Sequence, residues 1–147
     1  MLDERVRAVL GGEDSPLGRF LFAIVTPQYE CGVLEIGSSA TIWLGAGVRH
    51  FGGSVVTVEP GGDLERRVAE AGLEEWVEVV ESLDGIEDVF DVVVIAPEHD
   101  AGQLLPRVRA LVEPGALIVS ATPLDDSGLL AVTVSLDRPV HLSVVLE

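Results

Sequence analysis

Glu35, Gly37 and Glu59 have the residue types and spacing of a nucleotide cradle. Glu35 and Gly37 close the apolar run Val33-Leu34-Glu35-Ile36-Gly37, and Glu59 closes a second run, Val55-Val56-Thr57-Val58-Glu59. In a doubly wound sheet, a glycine turn after the first strand lets backbone approach a ligand, and an acid roughly twenty residues on takes ribose hydroxyls. The chemistry is simple: a carboxylate accepts two hydroxyl protons, and only glycine allows so close an approach. Both glutamates are expected as ligands at the carboxyl ends of strands, open on the crevice, with Ser38 and Ser39 extending the turn.

Glu98-His99-Asp100 is the one cluster suited to acid/base work, because His titrates near neutrality and a neighbouring carboxylate raises its pKa. The same residues equally suit the acidic first turn of a following helix, where negative charge is favoured. Cys31 is single and forms no internal disulfide; beside the first strand it is expected to be a small buried apolar side chain. No pair of Cys and His has zinc-ligand spacing. Trp43, between Ile42 and Ala46 on one helix face, is expected in the core, and His50 and His141 at the surface or an edge.

The elements that must position these residues follow from periodicity. Leu2, Val6, Val9 and Leu10 repeat at helical spacing until Gly11-Gly12, and Ser15-Pro16 opens a second helix through Phe20, Leu21, Ile24 and Val25, ended by Pro27. Strands are expected over 33–36, 54–59, 76–80, 91–96 and 116–121. Helices are expected over about 40–50 and 63–71, a short turn through Asp84-Gly85, and another helix through Leu104, Leu105, Val108, Leu111 and Val112, with Pro114-Gly115 as punctuation before the fifth strand. Five βα units in succession imply a parallel sheet with right-handed crossovers. Residues 129–136 and 140–146, separated by Asp137-Arg138-Pro139, form an antiparallel hairpin. The link from Thr122 to Gly128 is too short for the dozen or so residues of a parallel crossover, so the sixth strand is not a covered parallel one.

Composition narrows the partners. With 147 residues and 48% hydrophobic content, one ordered domain is expected. No apolar stretch approaches the roughly 18 residues of a membrane span, and the start Met1-Leu2-Asp3-Glu4-Arg5 is acidic where a signal peptide would be basic, so a cytoplasmic location is expected. A net charge of -16, from 9 basic and 25 acidic residues, repels phosphate backbones and argues against nucleic acid as a partner.

Taken in order, VLEIGSS with TIWLGAGVR, GGSVVTVEP, AGLEEWVEVVES, and FDVVVIAPEHD with LLPRVRALVEPGALIVS resemble the class I S-adenosylmethionine-dependent methyltransferases. The nearest branch is the small-molecule O-methyltransferases that include the catechol and caffeoyl-CoA enzymes. The resemblance implies an α/β fold: a doubly wound, mostly parallel Rossmann-like sheet with a C-terminal antiparallel hairpin. It divides the chain into N-terminal helices (1–31), cofactor-binding βα units (32–121) and the terminal hairpin (122–147). By position in the motifs it implies that Glu35, Gly37, Ser38 and Ser39 pass the methionine part of S-adenosylmethionine and that Glu59 takes its ribose. Ser82 and Leu83 fall where adenine is contacted, and Ala96 and Pro97 where the methyl is transferred.

The chain also departs from that pattern. Ser38, Ser39, Ala40 and Thr41 follow Gly37 where relatives carry further glycines, and the loop is shorter. Ala96 and Ala121-Thr122 stand where metal-dependent members hold magnesium with an aspartate and an Asp-Asn pair, so no metal is expected. Two readings stand. One is a metal-independent methyltransferase acting on a small-molecule acceptor, with His99 or Asp100 as base. The other is a methyltransferase-like domain without catalysis, serving as a binding or oligomerisation module. A nicotinamide-dependent reductase lacks its full G-x-G-x-x-G pattern. An exposed hairpin edge invites pairing, so a homodimer is among the expectations.

Overall fold

The computed structural model describes residues 2–147. Seven strands form one sheet in the order β3-β2-β1-β4-β5-β7-β6. The strands are β1 (Gly32–Ile36), β2 (Ser54–Val58), β3 (Val77–Val80), β4 (Phe90–Ile95), β5 (Val112–Ser120), β6 (Leu129–Ser135) and β7 (Pro139–Val145). β1 to β5 are parallel, whereas β7 runs antiparallel between β5 and β6. The expected α/β class, mostly parallel sheet and terminal hairpin are all present.

Strand alternation sorts side chains into two cores. Val33, Val55, Val92, Val94 and Val119 face one layer, built with α1 (Glu4–Leu10), α2 (Pro16–Val25), α3 (Thr41–Val48) and α4 (Leu64–Glu70). Leu34, Ile36, Val58, Val93, Ile95 and Ile118 face the other, closed by α5 (Ala101–Arg109). The continuous apolar runs are what a parallel strand buried on both faces requires. Cys31 is buried as expected, and burial, with the Asp91 charge, pushes its thiol up to about 11.

α3 is buried along its whole length, which explains its glycines. A Cβ on Gly45 would lie 2.7 Å from Val77, and one on Gly47 would lie 2.6 Å from Val25. Trp43 is in the core, packed edge-on to Phe22 at 6.4 Å between ring centroids and directly over Gly18 of α2. That contact fixes where α2 starts, and so where Ser15 and Leu17 stand above the sheet.

Two expectations need correction. The succession of five βα units is broken between β3 and β4, where the expected short turn at Asp84-Gly85 stands in place of a helix and Leu83 and Ile86 beside it enter the second core. β5 begins at Val112, because the helix before it ends at Arg109. Phe90 pairs with Val112 but Val92 with Leu117, so Pro114-Gly115 sits in a bulge inside the strand, with Gly115 at φ 96°.

Candidate functional site

The sheet reverses direction of winding between β1 and β4, and ligands of such sheets bind outside the carboxyl ends at that point. Register aligns those ends: Ile36 pairs with Val58 on one side and Ile95 on the other, and Val94 pairs with Val119. Glu59, the turn from Gly37 to Ser39, Ala96-Pro97 and Ser120-Ala121 therefore stand side by side along one edge. A cavity of about 250 Å³ opens there. Its walls are Ser39, Ile95, Pro97, Val119 and Ser120 from the sheet side, Ser15 to Leu17 from α2, and Asp137 to Val140 from the hairpin.

Glu35 does not open on the crevice. It shares the parity of Val33 and so points to the α3 face, where it is fully buried. Its Oε2 accepts the Ala40 amide at 2.7 Å, and its Oε1 accepts the hydroxyls of Thr41 at 2.5 Å and Thr57 at 3.0 Å. α3 has no side-chain cap of its own at Ala40, so a carboxylate from the strand supplies it. Burial pushes the Glu35 carboxyl up to about 7; the Thr41, Ala40 and Thr57 hydrogen bonds oppose this shift, and the Glu59 charge adds to it. The residue shapes the turn from beneath.

Gly37 has φ 89°, a conformation that favours glycine, and its amide donates to the Val58 carbonyl at 3.0 Å. The room left by its missing side chain is taken by the chain itself: a Cβ would lie 2.6 Å from Ala96, 2.9 Å from Glu98 and 3.2 Å from His99. Ser38 is half-buried, and Ser39 Oγ is buried with no hydrogen-bond partner. Glu59 is half-buried at the end of β2; its amide donates to the Val80 carbonyl, and its carboxylate has no hydrogen-bond or ion-pair partner among the described residues.

Neither proposed base lines the cavity. Asp100 is the N-cap of α5 and accepts the Gln103 amide at 3.2 Å, in keeping with the acidic helix start that its sequence position also suits. Exposed His99 turns back on Ala96 and presses on Gly37. Ser82 is an exposed turn residue whose Oγ accepts the Asp84 amide, and Leu83 is packed in the second core. Ala96 is buried, whereas Pro97 is exposed on the cavity. Among the described residues no three His, Cys, Asp or Glu side chains converge as a metal site. His50 is exposed and bonds Ala46 O, and His141 lies on β7 against Thr133 Oγ1.

Sequence reasoning missed Leu17, Ser120 and Arg138 as cavity residues. Ser15-Pro16 and Asp137-Arg138-Pro139 were legible only as element boundaries. What brings them together is the antiparallel return of β7 beside β5, which carries the hairpin turn back to the carboxyl edge.

No family model and no curated protein matches the chain. Solved structures do. A methyltransferase from Geobacter sulfurreducens superposes with a TM-score of 0.77 at 19% identity, over 99% of this chain and 89% of that one. A cofactor-bound protein from MTB gives 0.77 at 24% identity, over 99% and 91%. An RNA methyltransferase from Salinibacter ruber in complex with S-adenosyl-L-homocysteine gives 0.69 at 20% identity, over 91% and 92%. The chain has a methyltransferase fold. Within that fold the 250 Å³ cavity lies over β4 and β5, and Glu59 lies beyond β1 on the opposite side of the glycine turn.

Proposed function

We propose that the protein is an S-adenosylmethionine-dependent methyltransferase acting on a small molecule. The observation that carries this reading is a carboxylate without a partner among the described residues, Glu59, at the end of β2 across the winding reversal from a largely apolar cavity. The residues fit the cofactor: Glu59 would accept the ribose hydroxyls, and Ser39 Oγ, buried and unpartnered between turn and cavity, would meet its amino-acid end. When bound, the cofactor supplies a methyl group activated on a sulfonium. The chain's own contribution is placement. Val94, Ile95, Val119 and Val140 exclude water around an acceptor, and Pro97 stiffens the end of β4 against which it would rest. In-line approach of a held nucleophile supplies much of such a barrier reduction. The acidic surface supports a small acceptor over a nucleic acid.

A second reading, a binding module without catalysis, is favoured by one observation. Ala96, Glu98 and His99 already occupy the approach to Gly37. Incubation with S-adenosylmethionine and a panel of small hydroxyl-bearing and carboxylate-bearing acceptors separates the two. Formation of S-adenosylhomocysteine that depends on an acceptor and on Glu59 supports the enzyme. Cofactor binding with no turnover across the panel supports the module.

A further inference from the structure

The cavity at the carboxyl edge carries charges that its apolar interior does not need. All nine basic residues of the chain are arginines. Among the described residues, Arg5 binds backbone carbonyls, and Arg19, Arg49, Arg66, Arg67, Arg107 and Arg109 each pair with a carboxylate. Arg7 is engaged as well. Among the described residues Arg138 alone has a guanidinium with no hydrogen-bond or ion-pair partner, and it lines the cavity from the β6–β7 turn. In a chain with 25 acids an exposed guanidinium left unpaired is the exception.

The start of α2 lines the same cavity. Ser15 Oγ accepts the Gly18 amide at 2.9 Å and the Ser15 carbonyl accepts the Arg19 amide at 3.0 Å. Pro16 has no amide hydrogen, so the Leu17 amide is the first-turn donor with no partner among the described residues. A ten-residue helix presents partial positive charge at that end. Of the acids on the lining, Glu13 lies 4.0 Å from Arg67 and Asp14 is paired with Arg19, which leaves only Asp137 free beside Arg138.

We propose that this cavity takes a small anionic acceptor with an apolar body and one carboxylate-type group, read by Arg138 and the N-terminus of α2. The planar guanidinium fork matches a carboxylate in two parallel hydrogen bonds, and a backbone amide adds a third. The chain's overall negative charge does not defeat this, because exposed charges beyond about 8 to 10 Å are screened at physiological salt and contact geometry decides. The word acceptor rests on the methyltransferase reading; the preference for an anion is a property of the cavity alone.

Benzoate and its neutral counterpart benzamide, titrated into the isotope-labelled full chain and followed by backbone amide shifts, test the inference. The expected result is that benzoate moves the Leu17 and Arg138 amides and binds about tenfold or more tightly than benzamide, a difference of roughly 1.4 kcal/mol. Arg138→Gln, on an exposed turn, removes that preference and leaves the remaining spectrum and S-adenosylhomocysteine binding unchanged. Equal binding of the two probes, no binding of benzoate, or a preference that survives in R138Q overturns the proposal. Absence of S-adenosylhomocysteine binding to the unaltered chain, alongside a benzoate preference that R138Q abolishes, overturns the methyltransferase reading and leaves the anion site standing.

Discussion

At the residue scale, Glu35 shows how a strand-end acid can be recruited by the fold rather than by a ligand. Its type and position were legible in the sequence, and the parity it shares with Val33 was too. What covers that face was not, because the cap on α3 exists only once the loop has folded over the strand. The consequence is measurable. A folded carboxyl near 7, against an ordinary value of 4.5, means that the native state holds the proton more tightly than the unfolded chain. This stabilisation is present below about pH 4.5 and is lost as pH rises through about 7, on the order of 3 kcal/mol in all. Glu35→Gln keeps an oxygen for the Ala40 amide and offers its amide to hydroxyls that can turn to accept. Urea titrations between pH 5 and 8 are expected to show wild type losing stability relative to E35Q, and parallel curves would rule the linkage out. Gly37→Ala combines a left-handed φ with collision on Ala96 and should cost about 1–3 kcal/mol by the same assay; a cost near zero would mean that the turn relaxes freely.

At the element scale, the helices are placed by small residues facing large ones. Gly18→Ala would drive a methyl to within 2.3 Å of the Trp43 ring, which is walled in by Phe22 and the sheet. Overpacking of this kind should cost about 1–3 kcal/mol, read as a lower urea midpoint at unchanged slope. An unchanged midpoint would show that α2 can slide, and the cavity wall would then not be fixed by this contact. Apolar runs made β1, β2 and β4 legible, and Ser15-Pro16 located α2 to the residue. The start of β5 was hidden because Pro114-Gly115 has the composition of a turn, whereas here it makes a bulge within a paired strand. The turn at Asp84-Gly85 was legible from its residue types, but the role of Leu83 and Ile86 in covering the sheet was not, because they lack helical spacing.

At the scale of the whole molecule, the sheet order determines which distant segments meet. Residues 13–17, 39, 94–95, 97, 119–121 and 137–140 share one cavity because β4 and β5 follow β1 on one side of the reversal and β7 returns antiparallel beyond them. No local pattern encodes that meeting, so the strand ends were more legible than the cavity they share with α2 and the hairpin. The net charge of -16 acts at the same scale, through self-repulsion of the compact state. Thermal unfolding is therefore expected to shift upward as salt is raised to roughly 0.3 M, where the Debye length falls below about 8 Å. A downward shift would mean that the surface arginine pairs outweigh the repulsion. The central claim concerns Glu59 and the turn beside it, and calorimetric titration of the full chain with S-adenosylhomocysteine tests it most directly. The account predicts micromolar affinity in wild type, weakened about tenfold or more by Glu59→Ala at unchanged fold. No heat at millimolar ligand with the protein folded, or equal affinity in the two proteins, would contradict it.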